Sequence, residues 1–155
     1  MKRRMTVQEC IDKVDSLNPN QYSIELKVDW LSRLDSQIYT DIILTHEPKF
    51  PPVPPIPFFE FSKSPIDKKT FPPRPVHPDF EPYSVNDMTK QLIVWFPFDE
   101  LYIMYLNMKI DEANKETAQY NNSATLFNAY YNNFAAHFNK EFKPINRARY
   151  RMWGR

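Results

Sequence analysis

Three histidines are the side chains in this sequence best suited to binding a metal or moving a proton: His46, His77 and His137. A helical zinc motif needs two histidines four residues apart, with an acidic residue between them when it is hydrolytic. These three are scattered along the chain instead. His137 lies beside an aromatic stripe, where we expect it to pack or to face water. The sequence therefore predicts no metal site.

Two adjacent acidic pairs, Asp99–Glu100 and Asp111–Glu112, are candidates for acid–base chemistry. Neighbouring residues in a helix point to different sides, so neither pair converges on one reacting atom. We therefore expect both pairs on exposed helical faces.

The single cysteine and the single glycine also limit the chemistry of the chain. Cys10 falls on the apolar face of a predicted helix, which indicates a small buried side chain rather than a reactive thiol, and one cysteine excludes an intramolecular disulfide. Phosphate-binding loops and nucleophile elbows need several glycines, and this chain has only Gly154. With no Ser/His/Asp or Cys/His arrangement either, we predict a protein that is not an enzyme and takes no cofactor.

Length and charge point to an ordinary globular domain. The 155 residues suffice for one domain with a real core, and the net charge of +1 favours neither nucleic acid nor an acidic partner. No segment approaches the roughly 20 apolar residues of a membrane helix. The basic N-terminus is not followed by the apolar core of a signal peptide. We expect a soluble intracellular protein without membrane contact.

Two helices are predicted in the N-terminal third. The first spans residues 6–17 and opens with a capping box of Thr6 and Glu9, and the second spans about 24–44 with Ser23 as its cap. Apolar positions recur at helical spacing: Val7, Cys10, Ile11, Val14 and Leu17 in the first helix, and Ile24, Val28, Leu31, Leu34 or Asp35, Ile38 and Ile42 in the second.

Residues 97–142 predict an antiparallel helical hairpin around which the rest is organised. Pro97 is expected in the first turn of one helix, whose pattern turns polar at Asn114, and Ser123 is expected to cap the other. The first helix carries two apolar seams and the second an aromatic stripe: Leu101, Tyr105 and Met108; Tyr102, Leu106, Ile110 and Ala113; then Phe127, Tyr130, Tyr131, Phe134, Phe138 and Phe142.

Most of the fifteen prolines lie between Pro48 and Pro82. Proline fixes φ and lacks an N–H, so this stretch excludes a helix or central strand, and PPVPPIP at 51–57 predicts polyproline II. The stretch is either a loose linker or an arm that orders against a neighbour, and its aromatic content favours the arm. We assign these aromatic residues to a subunit or tail interface: Phe50, Phe58, Phe59, Phe61, Phe71, Phe80 and Trp95.

A short β-hairpin completes the predicted fold. Residues 91–96, QLIVWF, favour a strand, with residues 58–61 as its partner and the arm as the tip. The fold class is mainly α: a small four-helix bundle with a β-hairpin and a long proline-rich arm. We predict one domain, residues 1–155, with the bundle at 6–46 and 97–142, the arm and hairpin insertion at 47–96, and a basic tail at 143–155.

The tail carries arginine and aromatic residues but no acid. It is either a solvated terminus or a segment that binds in extended form, and its tryptophan favours binding. The candidate partner-binding residues are Arg147, Arg149, Tyr150, Arg151, Trp153 and Arg155.

The hairpin carries a recognisable pattern. It reads PFDELY at 97–102, YLNMKIDEAN at 105–114, YNNSATLFNAYY at 120–131 and FA at 134–135, preceded by the strand LIV at 92–94. This run resembles the head–tail connector, or head-completion adaptor, proteins of tailed bacteriophages. The resemblance covers about residues 6–140 and is strongest in the last third. The chain departs from the family in two places. Its middle connection is rich in proline, whereas that of the family is usually shorter and acidic, and its arginine-rich tail is not part of the family pattern.

The resemblance implies a helical body that assembles into a ring, commonly of twelve subunits, in the neck of the virion. Such a ring lies beneath the portal protein and above the tail or stopper protein, and DNA passes through its channel. It also implies that the C-terminal segment reaches the portal. No catalytic, cofactor or metal residue is implied.

Two other functions stay open from the sequence. PPVPPIP is also typical of a ligand that a non-viral interaction module presents to a partner's aromatic groove. The tail's arginines, with Tyr150 and Trp153, are also suited to holding phosphates and stacking on bases of a nucleic acid.

Overall fold

Four α-helices and a two-stranded sheet make up the part of the chain that this computed structural model describes, residues 2–48 and 77–145. The order is β1 (Arg4–Thr6), α1 (Val7–Leu17), α2 (Ile24–Asp41), β2 (Gln91–Trp95), α3 (Glu100–Ala113) and α4 (Thr117–Glu141), with 3₁₀ turns at Ile43–Thr45 and Val85–Asp87. The prediction of a mainly helical fold is confirmed, with a small antiparallel sheet. Predictions that fall on residues 49–76 and 146–155 lie outside the described residues.

Helix α1 begins where its capping box predicts. The Thr6 hydroxyl accepts a hydrogen bond from the Glu9 amide at 3.2 Å, and the Glu9 carboxylate accepts one from the Thr6 amide at 3.1 Å. These two bonds satisfy amides that the first helical turn leaves unpaired. The predicted apolar face is buried at Val7, Cys10, Ile11 and Val14, but Leu17 is 71% exposed because it ends the helix beyond its packing partners.

Helix α2 is shorter than predicted. The Ser23 hydroxyl caps it by accepting from the Leu26 amide at 3.4 Å, and it ends at Asp41 rather than near residue 44. At this end the Thr45 hydroxyl donates to the carbonyls of Asp41 and Ile42. The stripe is buried from Val28 onward and includes Asp35, while Ile24 in the first turn is 45% exposed.

Strand β2 forms where predicted, but its partner is different. It pairs antiparallel with β1, with Arg4 opposite Trp95 and Thr6 opposite Gln91. The predicted hairpin partner, residues 58–61, lies outside the described residues. Strand β1 comes from the N-terminus, to which the sequence assigned no structure, and it leads directly into α1. Met5 on β1 and Leu92, Val94 and Trp95 on β2 are buried in the core.

The antiparallel hairpin of α3 and α4 is confirmed. Contacts step in opposite directions along the two helices, from Asp111 with Ser123, through Tyr105 with Phe127 at 5.3 Å between ring centroids, to Phe98 with Phe134 at 5.9 Å. The aromatic stripe packs as predicted, with Phe134 and Phe138 buried and its other members partly buried against the core.

Both predicted starts of the hairpin helices were wrong. Pro97 lies in a turn that follows a cis Phe96–Pro97 peptide bond, and α3 begins only at Glu100. Ser123 lies inside α4, which begins at Thr117. The Ser123 hydroxyl donates to the Asp111 carboxylate at 2.6 Å instead of capping its own helix.

A Schellman turn joins α3 to α4. The Lys115 amide donates to the Glu112 carbonyl at 3.1 Å and the Glu116 amide to the Asp111 carbonyl at 3.0 Å, the two bonds that define this motif. Lys115 has φ of 62°, the left-handed region that glycine enters without steric cost. A lysine here strains the backbone.

Replacing Lys115 with glycine should stabilise the chain. Relief of the left-handed strain, less the greater freedom of glycine in the unfolded state, should raise the free energy of unfolding by about 0.5–1 kcal/mol. Urea denaturation measures the gain. Lys115→Ala, which keeps the Cβ atom, is the control. A glycine variant no more stable than the alanine variant would contradict the strain.

Candidate docking site

A buried carboxylate organises the face of the molecule on which the candidate site lies. Asp35 of α2 is fully buried and accepts hydrogen bonds from the hydroxyls of Tyr83 and Tyr102 and from the Ile93 amide at 3.2 Å. These donors come from three further parts of the chain: the return segment (residues 77–90), α3 and β2. Asp35 therefore ties four segments together.

The return segment is held to α2 at a second point. The Tyr83 amide donates to the Ser32 hydroxyl at 3.0 Å, one turn of α2 before Asp35. The Tyr102 hydroxyl in turn accepts from the Val94 amide at 3.0 Å. Every polar group in this network thus replaces the water it lost on burial with a bond inside the chain.

Burial raises the pKa of Asp35 to about 6, although the hydrogen bonds from Tyr102, Tyr83 and Ile93 lower it. Burial and the neighbouring Asp35 carboxylate also raise the pKa of Tyr83 and of Tyr102. Negative charge in this network therefore resides on Asp35, and the tyrosines remain donors. With its oxygens taken by three donors, Asp35 holds segments in place rather than offering a free base.

An aromatic groove lies beside this network. It has a volume of about 320 Å³ and a mainly apolar lining that includes Tyr39 and Ile43 of the α2 end, Phe80 and Tyr83 of the return segment, and Ile93 of β2. Ring centroids are 6.0 Å apart for Tyr39 and Phe80 and 5.7 Å apart for Phe80 and Tyr83.

Charged groups of both signs surround the apolar lining of this groove. Arg4 and Lys90 contribute positive charge, and Asp79 and Glu81 contribute negative charge. Tyr39 also fixes the groove wall, because its hydroxyl donates to the Pro78 carbonyl at 2.7 Å. The groove suits an elongated apolar ligand with a few polar groups.

A stem of short backbone pairings adjoins the groove. The Glu47 amide donates to the Lys143 carbonyl at 2.8 Å, and the Ile145 amide donates to the Thr45 carbonyl at 2.9 Å. His77, which lines the groove, donates through Nε2 to the His46 carbonyl at 2.9 Å. Residues 45–47, 77 and 143–145 together form the stem.

His46 anchors the stem to the core. Its ring is buried, with Nδ1 2.7 Å from the Ile42 carbonyl and Nε2 2.7 Å from Asn139 Oδ1 of α4. Its edge also packs against Phe138 at 4.9 Å between centroids.

The stem brings together the points where two predicted binding segments leave the described body. Residues 49–76 of the proline-rich arm, which lie outside the described ranges, follow the stem two residues after Glu47 and end immediately before His77. The arginine-rich tail continues directly from Ile145. The chain therefore presents the roots of the arm and of the tail at one place, next to the aromatic groove.

The predicted interface residues lie in different parts of the molecule. Phe80 is half-buried in the aromatic groove. The assignment of Trp95 to an interface needs a correction. Trp95 is 5% exposed and packs on Phe134 with 5.4 Å between ring centroids, because aromatic residues in a strand are as suited to a core as to an interface. The remaining members lie outside the described residues: Phe50, Phe58, Phe59, Phe61, Phe71, Arg147, Arg149, Tyr150, Arg151, Trp153 and Arg155.

The acidic pairs also need a correction. Glu100 and Glu112 are exposed as predicted, but Asp99 and Asp111 are buried. The Ser123 hydroxyl donates to Asp111, and Asp111 and Glu112 divide between the two sides of α3, as adjacent helical positions require. Asp111 therefore serves a bond within the chain, between α3 and α4.

The structure brings His46 and His77 together, whereas His137 pairs with Glu141 at 3.3 Å on α4. Within residues 2–48 and 77–145, no group of three or more His, Cys, Asp or Glu side chains is placed to hold a metal ion. Cys10 is buried as predicted, and burial raises the pKa of its thiol.

The Asp35 network is the feature that the sequence did not single out. One signal was present: Asp35 occupies a position of the apolar α2 stripe, between Leu31 and Ile38. A carboxylate at a core position needs buried donors, so it indicates a hydrogen-bonded network even when the donors cannot be named.

Comparison with protein-family models, curated proteins and solved structures finds no match to this chain. Of the helices in the described ranges, none is long and apolar enough to cross a membrane.

Asp35 should make stability depend on pH in a defined window. Its pKa of about 6 in the folded chain exceeds the ordinary value of 3.8, so the folded state binds this proton more tightly. The stabilisation is therefore full below pH 3.8 and is lost as the pH rises through 6, by about 2–3 kcal/mol. Urea denaturation across this range measures it.

Asp35→Asn should remove this pH dependence, and Asp12→Asn, at an exposed position of α1, should retain it. Subtracting the Asp35→Asn curve from that of the unmodified chain cancels the other carboxylates. If the difference in free energy of unfolding between the two chains did not change between pH 4 and 7, the Asp35 network would not be the origin of the pH dependence.

The stem should depend on the Ile145 amide. Ile145→Pro removes the donor to Thr45, so the neighbouring Glu47 amide should lose about tenfold in protection from hydrogen exchange, equivalent to about 1.4 kcal/mol. Ile145→Ala keeps the amide and serves as the control. Equal Glu47 protection in both variants would show that the stem does not need this bond.

Proposed function

We propose that this chain is a structural adaptor of a tailed-phage virion, which forms a ring that joins the portal vertex to the tail around the DNA channel. The ring has twelve subunits in this proposal and contacts the portal protein on one side and the tail or stopper protein on the other. DNA passes through without sequence recognition. The protein resides in the virion neck after assembly in the host cytoplasm.

The observation that carries this proposal is the stem. A ring adaptor has to contact two neighbouring copies and two different partners, so it needs several adhesive surfaces on one small body. Here the roots of the arm and the tail are joined by backbone hydrogen bonds and anchored to α4 through His46. A body that fixes the origin of two binding segments supports the proposed role.

The contacts of the resemblance residues also support it. The two most specific parts of the pattern, IDEAN at 110–114 and YNNS at 120–123, meet where the Ser123 hydroxyl donates to Asp111. Asn114 of the same pattern accepts from the Tyr22 hydroxyl at 2.6 Å. The pattern thus maintains the α3–α4 hairpin and its contact with the N-terminal part, which is what a shared adaptor body would require.

The adaptor proposal assigns no reaction to the chain. The buried carboxylate with the clearest pKa shift, Asp35, is occupied by three donors and is walled off from the aromatic groove by Tyr83. The groove itself offers rings and rim charges, which are features of a binding surface.

Co-assembly with the portal protein tests the proposal. The chain, expressed with the portal protein of the phage that encodes it, should appear in electron micrographs as a twelve-fold ring at one end of the portal. A chain that stays monomeric both alone and with the portal would refute the adaptor role.

Two variants separate the alternatives. Truncation after Ile145 preserves the stem and should abolish portal binding, with Lys140→Gln at an exposed position of α4 as the control.

Replacing Pro51, Pro52, Pro54, Pro55 and Pro57 with alanine should weaken contacts between subunits. Loss of a single non-portal partner, with the ring intact, would favour the proline-ligand function instead. DNA binding that falls steeply with salt would favour the nucleic-acid function.

A further inference from the structure

The aromatic groove has the chemistry of a site for proline-rich peptide. Extended proline-rich segments bind between aromatic rings, because the preformed polyproline II conformation costs little entropy to fix. Tyr39, Phe80 and Tyr83 supply three such rings, and 320 Å³ is enough for a few residues of an extended peptide.

The same chain carries a matching ligand. Residues 51–57 read PPVPPIP and begin only a few residues from the stem that adjoins the groove. Lys49 precedes this segment and Glu60 follows it, so it brings one charge of each sign to a groove rim that also has both signs, in Arg4 and Lys90 and in Asp79 and Glu81.

The groove of a second copy fits this ligand better than the groove of the same chain. Every residue from 50 to 57 is a proline or directly precedes one, and both kinds favour extended backbone. Eight residues in a polyproline II helix, at about 3.1 Å per residue, would span about 25 Å. Because such a sequence favours extended backbone over a turn, it is better suited to the groove of a second copy than to the groove next to its own root.

We propose that the aromatic groove of one subunit binds residues 51–57 of a neighbouring subunit. This inference rests on the proposed function, because it requires copies of the chain to lie side by side. Each subunit then donates one proline segment and receives another, a head-to-tail arrangement that closes into a ring when the rotation between copies permits.

Paramagnetic broadening between two copies of the full chain tests this contact. One copy is labelled with ¹⁵N. The other copy has no ¹⁵N and carries a nitroxide on the cysteine introduced by Ser62→Cys, just beyond the proline segment. Cys10 should not take up the label, because it is buried and burial raises the pKa of its thiol. The ¹⁵N copy should show a several-fold loss of amide signal at Tyr39, Phe80, Tyr83 and Lys90.

Two controls isolate the interaction. The nitroxide copy with Pro51, Pro52, Pro54, Pro55 and Pro57 replaced by alanine should produce no broadening, and this change leaves the described body untouched. Phe80→Ala in the ¹⁵N copy should also abolish it, whereas Tyr22→Ala, which alters a ring pair away from the groove lining, should not.

Each remaining outcome is decisive. Broadening that appears only when nitroxide and ¹⁵N share one chain, at high dilution, would place the segment in its own groove and overturn the inference. The absence of groove broadening in a portal-bound ring would also overturn it, while the adaptor role would stand. Broadening between copies in a chain that never binds a portal would support the contact and count against the adaptor role.

Discussion

The buried carboxylate of Asp35 is the constraint on which the rest of this structure depends. A charge-bearing group in the core is costly unless donors surround it, and here the donors come from the return segment, from β2 and from α3. The return segment therefore has to lie across α2. That placement builds one wall of the aromatic groove and brings His77 to the stem, so the geometry of the binding face follows from the requirement of one side chain.

Local signals in the sequence were enough for the helices but not for all of their ends. The Thr6–Glu9 capping box and the Ser23 cap could be predicted because both act within one helical turn. The start of α4 could not, because residues 117–122 are mostly polar and mostly exposed, so no apolar period marks them. The turn before it uses Lys115 in a left-handed conformation, where glycine is the residue that would have signalled the helix end.

Pairings between distant residues were beyond prediction from sequence. Strand β1 has only three residues and pairs with a strand about ninety positions away, and the stem joins residues near 46 to residues near 144. Trp95 shows that composition alone does not distinguish an interface residue from a core residue, since aromatic residues are enriched in interfaces and also pack well in cores. The walls of the aromatic groove could not be predicted, because four separate segments contribute them: β1, the α2 end, the return segment and β2.

The far end of α4 has a mechanical consequence. Its last two turns extend past the beginning of α3, where they cover Trp95 with Phe134 and Phe138, hold His46 through Asn139 and run directly into the stem. A pull on the tail would therefore load the long axis of α4 and be shared with the α2 end through the Glu47 and Ile145 amides. Such tension would be borne by α2 and α4 in parallel, without first unzipping the short sheet.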